Sequence, residues 1–588
     1  MSDNVTHSRM ALPIAVAAPV VDRLPILTIL VGSGLLYLVY RWLMPKPIPG
    51  IPYSPEHTRS IMGSLPSFLE FVKENQGRSK PWFPEQNVKL GSALVQIWET
   101  PFSRPSCVLT DFQEAQDILM RRTKDFDRGM RDSIVFQGTG KYHHISQTSQ
   151  SPIFKANKAL VKDLMSPRFL ADVSAPEIHS KVQLLLRMWS KKTQLAKGKP
   201  FNARPDIIEA ALDMINAAAF AYDEDSCSVS RQIRHLDSPD VRIDEKRDGS
   251  VDFSRAPDTE QAVVVHELGV YLGTQFVSPV PRLAHAFNYL TRPRLRRNLA
   301  KKEEIVFTEI RRALKRIEAG ESTTASALEH LLRREMESAR KAGREPNFFT
   351  PSIRDEGWGY IVAGHETSAT AISWQVKLLA DHPEVQTKLR AVLRAAYSDA
   401  AASNRLPTAR EITSTPIPYL DAFLEEALRV RGPVLMTGRE AKRDAYVLGH
   451  LVPKGTFVFM PSMGPTFHAP GIPIDDSVRS ETSRTKSWGG SWDPEDVGSF
   501  RVERWLTRNP ETGEDEYDVQ SGPILAFGLG PRSCFGKRLA YLEMRIVIAL
   551  LVWSFEFQKL PEHLSSYAAH DTITTGPTCC YVGLKELN

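Results

Sequence analysis

Cys534 stands alone in a turn-rich run, Phe527 to Gly536, that carries Gly528, Gly530, Pro531, Arg532 and Gly536 and leads straight into an apolar segment. Glycine reaches backbone conformations closed to other residues and lets a flat prosthetic group come close, while proline limits the alternatives. Leu539, Ala540, Leu542, Ile546, Val547, Leu550 and Leu551 recur at helical spacing, so a helix is expected from about Gly536 onward. The free amides at its N-terminus favour a thiolate over a thiol, and an anionic sulfur is a ligand that iron accepts. Taken alone, the cysteine reads first as a buried residue that behaves as a small hydrophobe, and its surroundings must reverse that reading.

Other residue types with chemical potential recur upstream. Thr350 and Pro351 open a long apolar pattern, with Asp355 and Glu356 close behind, that runs to Asp381. Its middle holds Ala363, Gly364, His365, Glu366, Thr367 and Ser368. Gly364 is costly inside a helix and Thr367 is placed to bond back to the Ala363 carbonyl, so a bulge is expected there. Glu426 and Arg429, three apart on an amphipathic helix, precede Arg504 in the stretch Phe500 to Trp505, and Arg439 lies between them. Lys158 follows Phe154 on an earlier helix. Each of these alone reads as a solvated charge or a slightly polar core helix.

In combination they resemble the cytochrome P-450 family, the haem-thiolate monooxygenases, of the eukaryotic microsomal and fungal biosynthetic type. Phe527 to Gly536 is similar to the family's haem-binding loop F-x-x-G-x-R-x-C-x-G at every fixed position, and Ala363 to Ser368 to its A-G-x-D/E-T-T/S signature. Glu426 and Arg429 resemble the E-x-x-R pair, and Arg504 the arginine of P-E-R-F, with Val502 and Trp505 in place of its proline and phenylalanine. The resemblance implies that Cys534 is the proximal iron ligand, that Phe527 shields its sulfur, and that Gly530 and Gly536 allow close approach. It makes Arg532 and Arg439 partners of the haem propionates. Lys158 stands in for a propionate-binding arginine, and Phe154 for a tryptophan. Glu366 and Thr367 become the catalytic proton pair, while Glu426, Arg429 and Arg504 become a structural network. The implied cofactor is haem b, thiolate-ligated. The implied fold is mainly α with a small β-rich lobe, the haem held between the long helix and the Cys534 helix.

The rest of the chain must place these groups. With 588 residues, 42% hydrophobic and 24% charged, it is long enough to bury a pocket. A net charge of +5 without a basic tail excludes nucleic acid as a partner. Five cysteines without C-x-x-C spacing argue against a disulfide framework or a structural zinc. Leu24 to Met44 is expected to form a transmembrane anchor, with a buried helix as the alternative, preceded by a lumenal tail (1–23) and followed by a proline-rich hinge (45–58). Arg41, Lys46 and Arg59 on its C-terminal side place the catalytic domain (59–588) in the cytosol, on the endoplasmic reticulum membrane. Short strands are expected at Leu94 to Trp98 and Cys107 to Leu109, and a helix at Phe112 to Met120. Residues 223–259 and 470–491, polar and aperiodic, read as surface insertions without a role.

The resemblance implies insertion of one oxygen atom from O2 into a hydrophobic small molecule such as a lipid, terpenoid or polyketide. Electrons come from a separate NADPH-dependent haemoprotein reductase, with cytochrome b5 as a second donor, because the chain has no flavin or nicotinamide signature of its own. A haem-thiolate isomerase or dehydratase, or a non-catalytic membrane haem-binding protein, remain the alternatives.

Overall fold

The computed structural model describes residues 24–276, 278, 280–320 and 325–587, with the backbone alone at positions 24–27 and 130–132. The expected lumenal tail lies outside the described residues.

Apolar stripes at helical spacing build the core. Helices Ala175–Leu195, Arg204–Phe220, Pro351–Asp381 and Lys537–Ser554 pack together around Trp189, Ile215, Ile372, Val376, Ile546 and Leu550, all fully buried. The long helix starts as its sequence predicts, with the Thr350 side chain accepting the Ile353 amide and Pro351 in the first turn. The expected bulge is absent: the helix is regular from Pro351 to Asp381, although Thr367 does bond back to the Ala363 carbonyl at 2.6 Å. Gly364 serves packing instead. A Cβ there would sit 2.5 Å from Ile215 Cδ1, so only glycine lets the helix lie this close to Arg204–Phe220.

Two five-stranded sheets flank the helices. In the first, Leu94–Ile97, Ser106–Leu109, Phe457–Pro461, Met436–Ala441 and Phe126–Asp127 lie in that order, with Cys107 opposite Val458 in the parallel pair and the rest antiparallel. Helix Phe112–Met120 follows it with the predicted bounds. The second sheet runs Phe555–Gln558, Tyr581–Glu586, Phe201–Asn202, Val251–Phe253 and Ile243–Glu245.

That second sheet corrects the reading of 223–259 as a surface loop. The segment contributes two of its strands and helix Ser228–Leu236, whose first amides, on Ser228 and Val229, are both held by buried Asp213 at 2.8 Å. Arg255 then pairs with buried Glu209 at 2.9 Å. No period shows in sequence because these elements are short and half-polar. Residues 470–491 are likewise docked, through helix Glu481–Lys486 against helix Phe112–Met120. The proline-rich stretch is clamped: the Gln96 side chain bonds the Ile48 amide and the Ile48 and Ile51 carbonyls at 2.6–2.9 Å.

Residues Leu24–Leu43 form one helix whose Ile29, Leu30, Leu36 and Trp42 are exposed. Among the described residues no helix is long and apolar enough to cross a membrane, so the expected transmembrane span is not met as such.

Helix Pro418–Arg431 carries the main buried charge. The Glu426 carboxylate, fully buried, accepts five hydrogen bonds: two from Arg429 at 2.7 Å, one each from Arg504 at 3.0 Å, the Trp505 indole at 2.9 Å and the Arg501 amide at 2.9 Å. Arg429 also reaches the carbonyls of Val497 and Ser499 at 2.8 Å. A solvated ion pair is thereby ruled out. Removing one member leaves a buried charge uncompensated, at about 3–5 kcal/mol. Glu426→Ala is therefore expected to lower the melting temperature steeply and to leave little ligand-competent protein, measured by calorimetry; an unchanged transition would show that the carboxylate is dispensable.

Candidate functional site

The cysteine loop is closed by its own backbone, the Cys534 amide donating to the Phe527 carbonyl at 2.8 Å and the Ser533 amide to Gly530 at 3.0 Å. Gly530 has φ 71°, and a Cβ on it would fall 2.0 Å from the Leu119 carbonyl, so no other residue fits between the loop and helix Phe112–Met120. Gly536, by contrast, has an ordinary φ of −80° and touches only the Cys534 sulfur, 4.0 Å from where its Cβ would be. Helix Lys537–Ser554 starts at once. Phe527 packs against Tyr541, ring centroids 5.2 Å apart.

Cys534 shows its sulfur to an open face while protein crowds it elsewhere. That crowding raises its thiol pKa. The amide of Gly536, the Lys537 and Lys158 ammonium groups and the Lys537 amide all act against the rise by favouring the thiolate.

Positive charge collects beside it. The Arg532 guanidinium stacks on Phe154 at 4.3 Å and gives one bond to the Gln147 carbonyl at 2.9 Å. Phe154, which cannot donate as an indole does, thus supports the arginine as a ring face. Desolvation and the neighbouring cations Arg128 and Arg439, only partly offset by Asp127, hold Arg532 down to about 9. Its Nη1 is buried with no hydrogen-bond partner among the described residues. Lys158 lies over the Phe535 ring at 4.5 Å and is lowered by burial and by Arg532. Arg439 is buried and donates to the Gly438 carbonyl at 2.7 Å.

On the long helix, Thr367 donates its hydroxyl to the Ala363 carbonyl. Glu366 does not face Thr367's partner; its Oε1 accepts the hydroxyls of Thr574 at 2.8 Å and Thr572 at 3.2 Å, from the turn between strands Ala569–Asp571 and Thr575–Pro577.

Three groups escaped the sequence. Arg128 carries no local sequence signal, yet it joins Arg439 in pressing on Arg532. The Glu356 carboxylate binds the His144 amide at 2.7 Å and its Nδ1 at 2.8 Å, and Asn157 at 2.8 Å, pinning the segment before helix Pro152–Val161 to the long helix. His143, His144 and Glu356 lie within metal-ligand reach of one another, but Arg128, Lys158 and Arg532 press on these histidines, an environment hostile to a cation. Third, Glu543 is buried behind the long helix, its Oε2 accepting Ser368 Oγ at 2.5 Å. A glutamate on the apolar stripe between Leu539, Leu542 and Ile546 was the signal that marks it.

This donor set fits a haem. A lone thiol with nearby thiolate-favouring groups and a cationic cluster with an unshared buried guanidinium donor match an iron porphyrin bearing carboxylates, while the space at Gly530 is taken by the Leu119 carbonyl rather than left for the ligand.

Comparison with known proteins agrees. The fold and site define a haem-thiolate oxygenase. The sequence model of the family described as Cytochrome P450 matches residues 92–465 and 493–574, and the chain belongs to that family. It is 34% identical to cytochrome P450 monooxygenase TRI13 of Fusarium sporotrichioides, over 94% of this chain and 98% of that protein. It is 36% identical to cytochrome P450 monooxygenase xilC of Penicillium rubens, over 95% of each. Among solved structures it resembles the cytochrome P450DA heme domain, with TM-score 0.64 and 17% identity over 93% of this chain and 99% of that one. The protein is a cytochrome P450 monooxygenase with a thiolate-ligated haem.

Burial pushes Glu543 up to about 8 from its ordinary 4.5, against the lowering bond from Ser368. The folded protein therefore keeps a proton that the unfolded chain releases, so this contribution to stability is fully present below pH 4.5 and lost as pH rises to 8. Glu543→Gln cannot ionise. The melting temperature of the parent relative to this variant is expected to fall between pH 5 and 8; a difference independent of pH would mean that Glu543 is not buried as an acid.

Proposed function

We propose that this protein inserts one oxygen atom from O2 into a C–H or C=C bond of an apolar secondary metabolite, using haem b and electrons from an NADPH-dependent haemoprotein reductase, with cytochrome b5 as a second donor. The observation that carries the reading is the convergence of Lys158, Arg439 and Arg532 beside the Cys534 thiol. The haem, when bound, supplies the iron that activates O2, and a thiolate ligand favours O–O cleavage.

The chain's own residues do the rest. Cys534 provides the sulfur, ionised with the help of the Gly536 and Lys537 amides. Arg532, Arg439 and Lys158 take the propionates, and Arg532 Nη1 gains its missing acceptor. Gly536 borders the sulfur, the Phe527 carbonyl holds the Cys534 amide, and Gly530 sets the loop's depth. Thr367 spends its hydroxyl proton on Ala363, so it must rotate to donate into the pocket, and Glu366 is the acid that replaces that proton. Keeping this acid and alcohol favours oxygenation over isomerisation.

Membrane attachment is part of the proposal. The exposed apolar helix Leu24–Leu43 supports it, as do Leu283, Phe287 and Leu290, exposed along one face of helix Pro281–Thr291. The site would then lie on the cytosolic side of the endoplasmic reticulum. Removing residues 1–44 is expected to shift the protein toward the soluble fraction with its haem spectrum intact, and protease protection of the remainder in sealed microsomes would reverse the orientation.

Two variants test the site. Cys534→Ala is expected to abolish the red-shifted Soret band of the reduced, carbon-monoxide-bound protein; a band at the histidine-ligand position in the parent would overturn the assignment. Thr367→Ala is expected to keep that band and substrate binding while diverting NADPH to hydrogen peroxide. Undiminished coupling of NADPH to product would assign Thr367 to helix packing alone.

A further inference from the structure

Glu366, half-buried, belongs to a polar assembly that extends well beyond the long helix. Its Oε1 accepts two hydroxyls, from Thr574 at 2.8 Å and Thr572 at 3.2 Å, and those two hydroxyls are 3.3 Å apart. Thr574 is 2% exposed, whereas Thr572 is exposed. The turn that carries them is tight, the Thr572 amide bonding the Thr574 carbonyl at 2.8 Å.

The turn is itself fastened from a distant part of the chain. Asp571 accepts the Ser79 amide at 2.7 Å, the Lys80 amide at 3.1 Å and the Thr575 hydroxyl at 2.7 Å. Lys80 Nζ returns to the Ile573 carbonyl at 3.1 Å and to Thr575 Oγ1 at 3.0 Å. Arg204 Nη2 meets His570 Nε2 at 3.2 Å on the strand just before the turn, and both cations Lys80 and Arg204 feel the Glu366 charge. Threonine hydroxyls donate to a carboxylate and also accept, so a pair of them spans a proton's path from the exposed Thr572 hydroxyl to the half-buried Glu366 carboxylate.

We propose that Thr572 and Thr574 are positioning residues for Glu366: they orient its carboxylate and connect it to solvent, so that each proton it gives up is replaced from water through the Thr572 hydroxyl. Only O–H bonds are exchanged in this step. The Ser79–Lys80–Asp571 fastening keeps the turn at the distance the two hydroxyls require. The proposal rests on the assignment of Glu366 as the proton source, and the test separates the two.

The haem-loaded, full-length protein is compared as parent, Glu366→Gln, Thr572→Val/Thr574→Val and Thr574→Ser. Haem content and the carbon-monoxide spectrum establish that each variant is folded. The first readout needs no turnover: the infrared carboxylate band that disappears in Glu366→Gln should move in the double valine variant and return to its parental position in Thr574→Ser. The second is the ratio of hydrogen peroxide to oxygenated product, expected to rise on the order of ten-fold in the double variant, less than the ~10²–10⁴ of a complete general acid. If Glu366→Gln itself leaves the ratio unchanged, the assignment of Glu366 fails. If Glu366→Gln uncouples but the double valine variant alters neither band nor ratio, the positioning role of the threonines is refuted. If the variant loads no haem, Thr572→Val alone carries the same two readouts.

Discussion

One buried carboxylate holds the frame on which the site depends. Glu426 has no exposed surface and five donors, and a buried charge survives only when it is paired and hydrogen-bonded throughout. Its donors come from the helix Pro418–Arg431 and from the stretch Arg501 to Trp505, so the two cannot separate without stranding it. The neighbouring Glu425 points to the Tyr541 hydroxyl on the cysteine helix, and Asp421 to Arg545. One helix thus fastens both the chain that leads into the cysteine loop and the helix that leaves it.

The opposite charge problem marks the ligand site. Arg532 sits in a partly buried setting with Arg128 and Arg439 close enough to depress its pKa, and Asp127 restores only part of the balance. A fold stabilised by its own contacts alone has no reason to keep such a cluster, since like charges in low dielectric repel. A dianionic ligand edge supplies a counter-charge and an acceptor for the Arg532 Nη1. The same ligand explains why a cysteine stands with its sulfur open beside two lysines rather than packed away as a hydrophobe.

What could be read in the sequence followed the range of the interactions. The cysteine loop, the Thr350 cap and the Phe112–Met120 helix are set by neighbours within a few residues, and they stand where the pattern places them. Glu426, Arg429 and Arg504 were legible only because three residue types recur at a known spacing; that Trp505 adds a fourth side chain, where the resemblance led one to expect phenylalanine, needed coordinates. Glu366 with Thr572 and Thr574 joins residues 206 and 208 positions apart, and Asp213 caps a helix in a segment that looked structureless. Neither has a local signal, because a hydroxyl or a carboxylate carries no mark of its partner. The bulge expected at Gly364 failed for a related reason: helix propensity registers the cost of glycine but not the Ile215 side chain that makes glycine necessary.

The segment 470–491 shows how a departure from the family pattern is tied to the shared chemistry. The family match stops at residue 465 and resumes at 493, so this piece lies outside the shared family pattern. It nevertheless grips helix Phe112–Met120 at several points: Arg479 on Asp111 at 2.9 Å, Ser480 on Asp117 at 2.7 Å, Gln113 on the Ser483 carbonyl at 2.8 Å, and the Trp488 amide on Gln116 at 3.2 Å. Asp111 caps that helix, and its far end offers the Leu119 carbonyl against which Gly530 is packed with no room for a Cβ. A helix fixed at both ends cannot drift along its axis, and the loop resting on it inherits that position. The depth of the Cys534 loop is therefore set partly by a segment that carries none of the site's chemistry.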